Sequence, residues 1–158
     1  MIKPLEYKEL VSCVKVIRES FATVARDFEL TEQNCPNHTS FIKLEKLQNQ
    51  FNKGTLMFGY FCDDEIVGYV SLTKIDNLTY ELNNLSILPE YRHKGYGTEL
   101  IDFCKAKVKE FGGGKITIGI IEENSILKDW YAAYGFIHTE TQKFENLPFT
   151  VGFMGLDV

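Results

Sequence analysis

A short basic turn in the second half of the chain combines residue types that bind phosphate. It follows strand-like sequence and reads Pro89-Glu90-Tyr91-Arg92-His93-Lys94-Gly95-Tyr96-Gly97-Thr98. The pattern predicts that a helix opens just after Gly97, and the first N–H groups of a helix have no partner within it. Glycines let a phosphate approach the backbone, and the helix dipole favours an anion. Arg92 and Lys94 add full positive charge, so the turn predicts a pyrophosphate site.

The charge of the chain is distributed unevenly around this turn. The 158 residues carry 17 basic and 22 acidic side chains, which gives a formal charge of −5. Residues 92–115 hold six basic and three acidic side chains, so this segment is +3 and the remainder is −8. It also holds five of the 12 glycines. This basic, glycine-rich segment favours a local anion site over a nucleic-acid surface, while solvated lysines on a helix are the alternative.

Two motifs narrow the identity of the phosphate ligand. The turn lacks the third glycine of a dinucleotide-binding G-x-G-x-x-G sequence, and it lacks the Gly-Lys-Ser/Thr of a P-loop. The segment Arg92–Gly97 instead fits R-x-x-G-x-G, which resembles the coenzyme A loop of the GNAT superfamily of N-acetyltransferases. Further on, Asn124 and the segment Tyr131–Phe136 fit the asparagine and the Y-x-x-x-G-F pattern of the same family.

The resemblance implies a fold and a cosubstrate. The fold is α/β of the GNAT type: a central, mostly antiparallel sheet with one parallel pair, flanked by about four helices. The reaction is transfer of an acetyl group from acetyl-CoA to a primary amine by direct attack. The coenzyme-binding residues that the family motifs imply are Leu85, Ser86, Ile87, Arg92, His93, Lys94, Gly95, Tyr96, Gly97, Thr98 and Asn124.

Tyr131 is the candidate for the general acid. A departing thiolate needs a proton because thiols have pKa values near ~8.5, and Tyr131 occupies the general-acid position of the family. Tyr134 offers a second hydroxyl three residues later, and a purely structural tyrosine is the other interpretation of Tyr131.

Glu81 is the candidate for the base that deprotonates the amine. It stands eleven residues before Arg92, where some family members place a catalytic glutamate; other members use ordered water, and an exposed strand glutamate is the alternative. Strand alternation predicts that Glu81, Asn83 and Leu85 share one face. By resemblance, the strand end pairs with the pantetheine arm and the Ile87 N–H is the oxyanion donor.

The hydrophobic pattern predicts an element order that fits this fold. A strand–helix–strand crossover in the second half implies one parallel strand pair. The predicted strands are Ile2–Leu5, Thr55–Cys62, Ile66–Ile75, Leu78–Leu88, Lys115–Ile121, Phe136–Phe144 and Thr150–Val158, and the predicted helices are Leu10–Phe28, Phe41–Phe51, a helix from just after Gly97 to Phe111, and one from Asn124 or Ser125 to Tyr134.

Composition indicates a single globular domain over residues 1–158, with 44% hydrophobic and 25% charged side chains. No apolar run approaches ~18 residues, and the first residues lack a signal-peptide core. The three histidines are dispersed, so we expect no metal site, and we expect Trp130 to lie in the core. Four cysteines without a CxxC pair predict reduced thiols in a cytoplasmic protein: Cys13, Cys35, Cys62 and Cys104.

The sequence leaves the acceptor and the assembly open. In this family acceptor specificity lies on the first two helices and their loop, here Phe28–Phe41, and on the connection Phe144–Thr150. The acidic remainder favours a cationic amine, on a small molecule or a peptide, such as a polyamine, an aminoglycoside or an N-terminus. Two other functions are alternatives to acetyl transfer: a non-catalytic acyl-CoA sensor and a nucleotide-binding regulator. A homodimer could form if the last strand, Phe149–Val158, were an exposed edge.

Overall fold

The computed structural model describes residues 1–158 as seven strands and four helices. Three short 3₁₀ turns, at Tyr7–Glu9, Thr39–Phe41 and Pro89–Tyr91, connect them. The strands are β1 (Ile2–Pro4), β2 (Leu56–Cys62), β3 (Glu65–Lys74), β4 (Thr79–Ile87), β5 (Lys115–Ile121), β6 (Ile137–Lys143) and β7 (Thr150–Asp157), and the helices are α1 (Leu10–Asp27), α2 (Leu44–Asn52), α3 (Tyr96–Glu110) and α4 (Ser125–Tyr134).

All seven strands form one sheet in the order β1-β2-β3-β4-β5-β7-β6. Every neighbouring pair is antiparallel except β4 and β5, which are parallel and are joined by α3. This confirms the predicted fold class and its single parallel pair. The parallel pairing is short, because it joins only Thr79–Glu81 to Lys115–Thr117. Beyond these residues β4 and β5 have no mutual pairing, which leaves an opening between them.

Helices cover both faces of the sheet. On one face, Tyr69 of β3 is fully buried close to Cys13 of α1, and α2 packs against α1. On the other face, Tyr80 of β4 stacks on Phe111 just after α3, with ring centroids 6.2 Å apart. The core of α3 is fully buried, as its apolar stripe predicts: Leu100, Ile101, Cys104 and Val108. None of the four helices is long and apolar enough to span a membrane.

Strand β4 contains a β-bulge at Asn84 and Leu85. Between Asn83 and Ser86, two residues of β4 lie opposite a single residue of β3, and Asn84 has a left-handed φ of 56°. An extra residue reverses the alternation of side chains along a strand. The prediction that Leu85 shares a face with Glu81 and Asn83 is therefore wrong. Ser86 takes the place of Leu85 on that face.

The starts of two helices and the place of the last strand in the sheet also differ from the predictions. Helix α3 begins at Tyr96 rather than after Gly97, because Gly95 at φ 84° forms its N-cap. Helix α2 begins at Leu44, since Thr39–Phe41 forms a separate 3₁₀ turn capped by His38. The segment Phe149–Val158 is not an edge, because β7 pairs with β5 on one side and β6 on the other. The strand therefore has no free edge through which two copies of the chain could pair.

Two isoleucines in strands provide a test of where the core lies. Ile116 of β5 is fully buried, whereas Ile137 at the start of edge strand β6 is 72% exposed. We expect Ile116→Ala to lower the free energy of unfolding by about 2–5 kcal/mol through lost burial and a cavity. Ile137→Ala should cost less than about 1 kcal/mol. Urea unfolding of both variants measures the difference, and equal losses would contradict this assignment of the core.

Candidate functional site

The predicted anion loop presents a row of free backbone N–H groups at the start of α3. The N–H groups of residues 94–98 donate no hydrogen bond within the protein. His93 at φ 63° and Gly95 at φ 84° are both left-handed, which turns the chain sharply before the helix. Adjacent N–H groups at such a turn form a concave anion site, and the dipole of α3 adds partial positive charge. The loop therefore has the backbone geometry of an anion site, and its binding of phosphate stays a prediction.

Aromatic side chains pack the first turn of α3 against β2. The ring of Tyr96 stacks on Tyr60 at 4.3 Å between centroids and 22° between planes. The Tyr60 hydroxyl donates to Glu99 Oε2 at 2.6 Å, and the thiol of Cys62 lies 3.8 Å from the Tyr96 hydroxyl. The side chain of Tyr96 therefore supports the helix, and its backbone N–H is the group that faces outward.

Arg92 is directed towards α1 rather than towards the loop. Its Nη2 atom donates to the Ser20 carbonyl oxygen at 2.7 Å and to Thr23 Oγ1 at 3.2 Å. Partial burial lowers the pKa of the guanidinium from its usual value. Lys94 is exposed, with its ammonium 5.5 Å from the centroid of the Tyr91 ring. In this arrangement the Lys94 side chain and the N–H groups of residues 94–98 are available to bind an anion. Contact between Arg92 and phosphate stays a prediction.

The end of β4 faces the opening between β4 and β5. The Leu88 N–H donates to the Val67 carbonyl oxygen of β3 at 2.9 Å. Because successive N–H groups of a strand point to opposite edges, the Ile87 N–H points away from β3 and towards the opening. It donates there to Ser20 Oγ at 3.2 Å. The predicted pantetheine-binding strand end thus lies beside the anion loop.

The two candidate tyrosines of α4 have different environments. Tyr131 is 5% exposed, its hydroxyl donates to no group of the protein, and its ring meets Phe136 edge-on at 5.3 Å. Burial, with a smaller effect from Cys104, raises the pKa of Tyr131. The Tyr134 hydroxyl instead donates to Asp102 Oδ1 of α3 at 2.5 Å. Of these two tyrosines, only Tyr131 has a hydroxyl without a partner.

Trp130 lies against the candidate site, which sequence analysis did not predict. Its indole carbons lie 3.3 Å from the position that a Cβ on Gly97 would take, so it packs on the first turn of α3. It is 37% exposed, and the prediction that it belongs to the core is wrong. The sequence did contain a signal of this exposure. Trp130 directly precedes Tyr131, and neighbouring residues on a helix face different directions, so the two were not expected to be buried together. Asn124 caps α4 as predicted, accepting from the Leu127 N–H at 3.2 Å.

Glu81 lies at the closed end of the opening. It is the last residue of β4 that pairs with β5, opposite Thr117, and it is half-buried. Its side chain is on the face of the sheet that α1 covers, since it pairs with Thr73, which shares a face with Tyr69. At ~3.3 Å per residue, and with one residue taken up by the bulge, Glu81 and Ile87 are about 16 Å apart.

The two segments expected to select the acceptor pack against one another. A small cluster joins Leu30 and Cys35 of the first segment to Leu147 and Phe149 of the second, around Ile121 at the end of β5. Phe28–Phe41 and Phe144–Thr150 together contain no lysine or arginine and three carboxylates: Glu29, Glu32 and Glu145. The two segments therefore carry a formal charge of −3 between them. No group of three His, Cys, Asp or Glu residues is arranged to hold a metal ion.

Comparison with known proteins places this geometry in a family. The model of the acetyltransferase (GNAT) family matches residues 21–136, which is more than half of the chain. A relative is the spermidine N(1)-acetyltransferase of Thermoplasma acidophilum, which is 30% identical over 140 residues. That alignment covers 85% of this chain and 86% of the relative.

Solved structures share the fold. The PaiA N-acetyltransferase of Thermoplasma acidophilum, in complex with coenzyme A, has a TM-score of 0.82 at 24% identity. That comparison covers 100% of this chain and 98% of the other. A GNAT family acetyltransferase of Elizabethkingia anophelis with acetyl-CoA bound has a TM-score of 0.69 at 17% identity, covering 100% and 97% of the two chains.

The hydrogen bonds of Arg92 lead to a stability prediction. We expect Arg92→Lys to lower the free energy of unfolding by about 1–2 kcal/mol, because one lysine ammonium cannot reproduce the guanidinium geometry that reaches two acceptors of α1. Lys94→Ala removes a charge from the same loop but no hydrogen bond, and should change stability by less than about 0.5 kcal/mol. Urea unfolding measures both. An unchanged Arg92→Lys variant would show that the contact with α1 contributes nothing.

Proposed function

This chain belongs to the acetyltransferase (GNAT) family, and we propose that it transfers the acetyl group of acetyl-CoA to a primary amine on a cationic small molecule. The observation that carries the proposal is the row of free N–H groups at residues 94–98, next to an opening between β4 and β5. Acetyl-CoA supplies the acetyl group as an activated thioester. The loop fits its pyrophosphate, and the unpaired end of β4 fits its extended pantetheine arm.

Tyr131 is proposed as the general acid. Its buried position keeps the hydroxyl protonated, because burial raises its pKa above the ordinary tyrosine value of about 10. A protonated hydroxyl can give its proton to the departing sulfur throughout the neutral range. The Tyr134 hydroxyl is already engaged with Asp102, which makes it a weaker candidate.

Removal of the proton from the amine is proposed to run through water. A base acts within hydrogen-bond reach of the group that it deprotonates, or through one water. Glu81 is about 16 Å along β4 from Ile87, so it cannot contact an amine that attacks a thioester held at Ile87. Glu81 is therefore proposed to receive the proton through ordered water on the face that α1 covers, which combines the two alternatives for the base.

A polyamine-like cation is proposed as the acceptor. The support is the acidic character of the two acceptor segments, whose carboxylates have no lysine or arginine among them. The relative named as a spermidine N(1)-acetyltransferase matches most of this chain. Carboxylates around an entry attract cationic amines and lower the barrier to their approach. The four free cysteines support a location with reducing conditions, and we propose the cytoplasm.

The proposed function predicts acetyl-CoA-dependent release of free CoA with cationic amines. The assay presents spermidine, spermine, an aminoglycoside and an alanyl peptide, each with acetyl-CoA. We expect the polyamines to give the highest kcat/KM. Tyr131→Phe should lower kcat by about 100-fold, because it removes the proton donor without removing the ring. Its binding of acetyl-CoA, measured by thermal shift, should be unchanged.

Tyr134→Phe is the matched control, since it removes a hydroxyl from the next turn of α4. It should retain most of the activity. A larger loss in Tyr134→Phe than in Tyr131→Phe would assign the acid to Tyr134. A parent protein that binds acetyl-CoA and transfers to no amine would support the acyl-CoA sensor instead. Stabilisation by ATP or NAD but not by CoA would support the nucleotide-binding regulator.

Trp130 predicts an optical signal for coenzyme binding. It is the only tryptophan of the chain and lies against Gly97 in the proposed pyrophosphate loop. We expect CoA and acetyl-CoA to change its fluorescence, because a ligand at the loop removes water from the exposed edge of the indole. Trp130→Phe should abolish the signal while CoA still stabilises the protein against heat. Stabilisation of the parent by CoA without any fluorescence change would place the coenzyme away from Trp130.

A further inference from the structure

The hydroxyl of Ser20 reaches from α1 into the opening between β4 and β5. Its oxygen accepts the Ile87 N–H at 3.2 Å across 67 residues of sequence. The side chain is half-buried, and its hydroxyl hydrogen is donated to no acceptor within the protein. Ser20 therefore combines an oxygen that holds a strand N–H with a hydrogen that is free to bind something else.

The Ile87 N–H lies outside the hydrogen bonding of the sheet. The register of β3 and β4 turns it towards β5, and β5 pairs with β4 only as far as Glu81. A buried N–H without a hydrogen-bond partner raises the free energy of the folded state. This explains why a side chain of another element, α1, accepts a hydrogen bond from it. Ser20 Oγ supplies that acceptor.

The position of Ser20 is fixed from the side of the anion loop. Its carbonyl oxygen accepts from Arg92 Nη2 at 2.7 Å and from Thr23 Oγ1 at 2.9 Å. One residue of α1 is thus bonded through its backbone to the loop proposed for pyrophosphate and through its side chain to the strand end proposed for pantetheine. Such fixed groups bind a ligand without first having to be ordered.

We propose that the Ser20 hydroxyl and the Ile87 N–H together bind one carbonyl oxygen of the acyl-pantetheine arm of acetyl-CoA. This inference rests on the proposed function. An oxygen that accepts the Ile87 N–H arrives beside Ser20 Oγ, and the free hydroxyl hydrogen turns towards it. The N–H is then shared or transferred to the ligand, so the oxygen gains two donors. The thioester and the pantetheine amides each offer a carbonyl oxygen that can accept these two hydrogen bonds. The ligands of the test distinguish between them.

The test measures the Kd of three ligands by titration calorimetry: acetyl-CoA, CoA, and S-ethyl-CoA, a thioether that lacks the thioester oxygen. We expect Ser20→Ala to raise the Kd by about fivefold or more where its hydrogen bond is lost. Loss for acetyl-CoA alone assigns the thioester oxygen, and equal loss for all three ligands assigns a pantetheine amide. Ser20→Thr keeps the hydroxyl and should restore binding. Ser12→Ala, on the exposed side of the same helix, is the control and should match the parent.

Unchanged Kd values in Ser20→Ala for all three ligands would overturn the proposal, and so would tighter binding, which would mean that Ser20 competes with the ligand for the Ile87 N–H. A parent that binds none of the three ligands would refute the proposed function and this inference together. A parent that binds them without transferring acetyl groups refutes only the enzymatic function, since the effect of Ser20 is measured on binding.

Discussion

The separation of β4 from β5 is the constraint on which the site depends. The two strands pair over three residues only, and β4 then takes a bulge at Asn84, a residue type that tolerates the left-handed conformation. The separation leaves strand N–H groups without a strand partner and opens a path through the sheet. Helix α3 follows β4 after eight residues, and α4 follows β5 after three residues. Both helix starts therefore flank the opening.

Helix α1 holds the open arrangement together. Where β4 and β5 separate, β4 has no strand partner on one side. Helix α1 supplies contacts there: Ser20 Oγ accepts from the Ile87 N–H, and the Ser20 carbonyl oxygen accepts from Arg92. The same helix continues into Phe28–Phe41, which packs on Ile121 and on the β6–β7 connection. Helix α1 and the segment that follows it therefore contact the anion loop, the end of β4 and the β6–β7 connection.

Local signals in the sequence predicted the parts of the site that depend on near neighbours. The R-x-x-G-x-G turn, the asparagine cap of α4 and the stripe of α3 are each defined within one or two helical turns. The bulge was missed because one extra residue leaves the composition of β4 unchanged. The partner of Arg92 lies 72 residues away, and the place of β7 between β5 and β6 depends on strand order. Such long-range contacts leave no periodic mark in a single sequence.

The positions of the candidate acid and base explain why an opening through the sheet suits acyl transfer. Tyr131 is on α4 beside Cys104 of α3, on one face, whereas Glu81 is on the face that α1 covers. Direct attack brings the amine to one side of the thioester carbon while the sulfur departs from another. With the acid and the proton acceptor on opposite faces, one can protonate the departing sulfur while the other accepts the proton of the amine, and the two do not contact each other. The two acidic segments follow α1 and β6 and meet around Ile121 at the end of β5, so under the proposed function a cationic amine would approach from this end of the sheet.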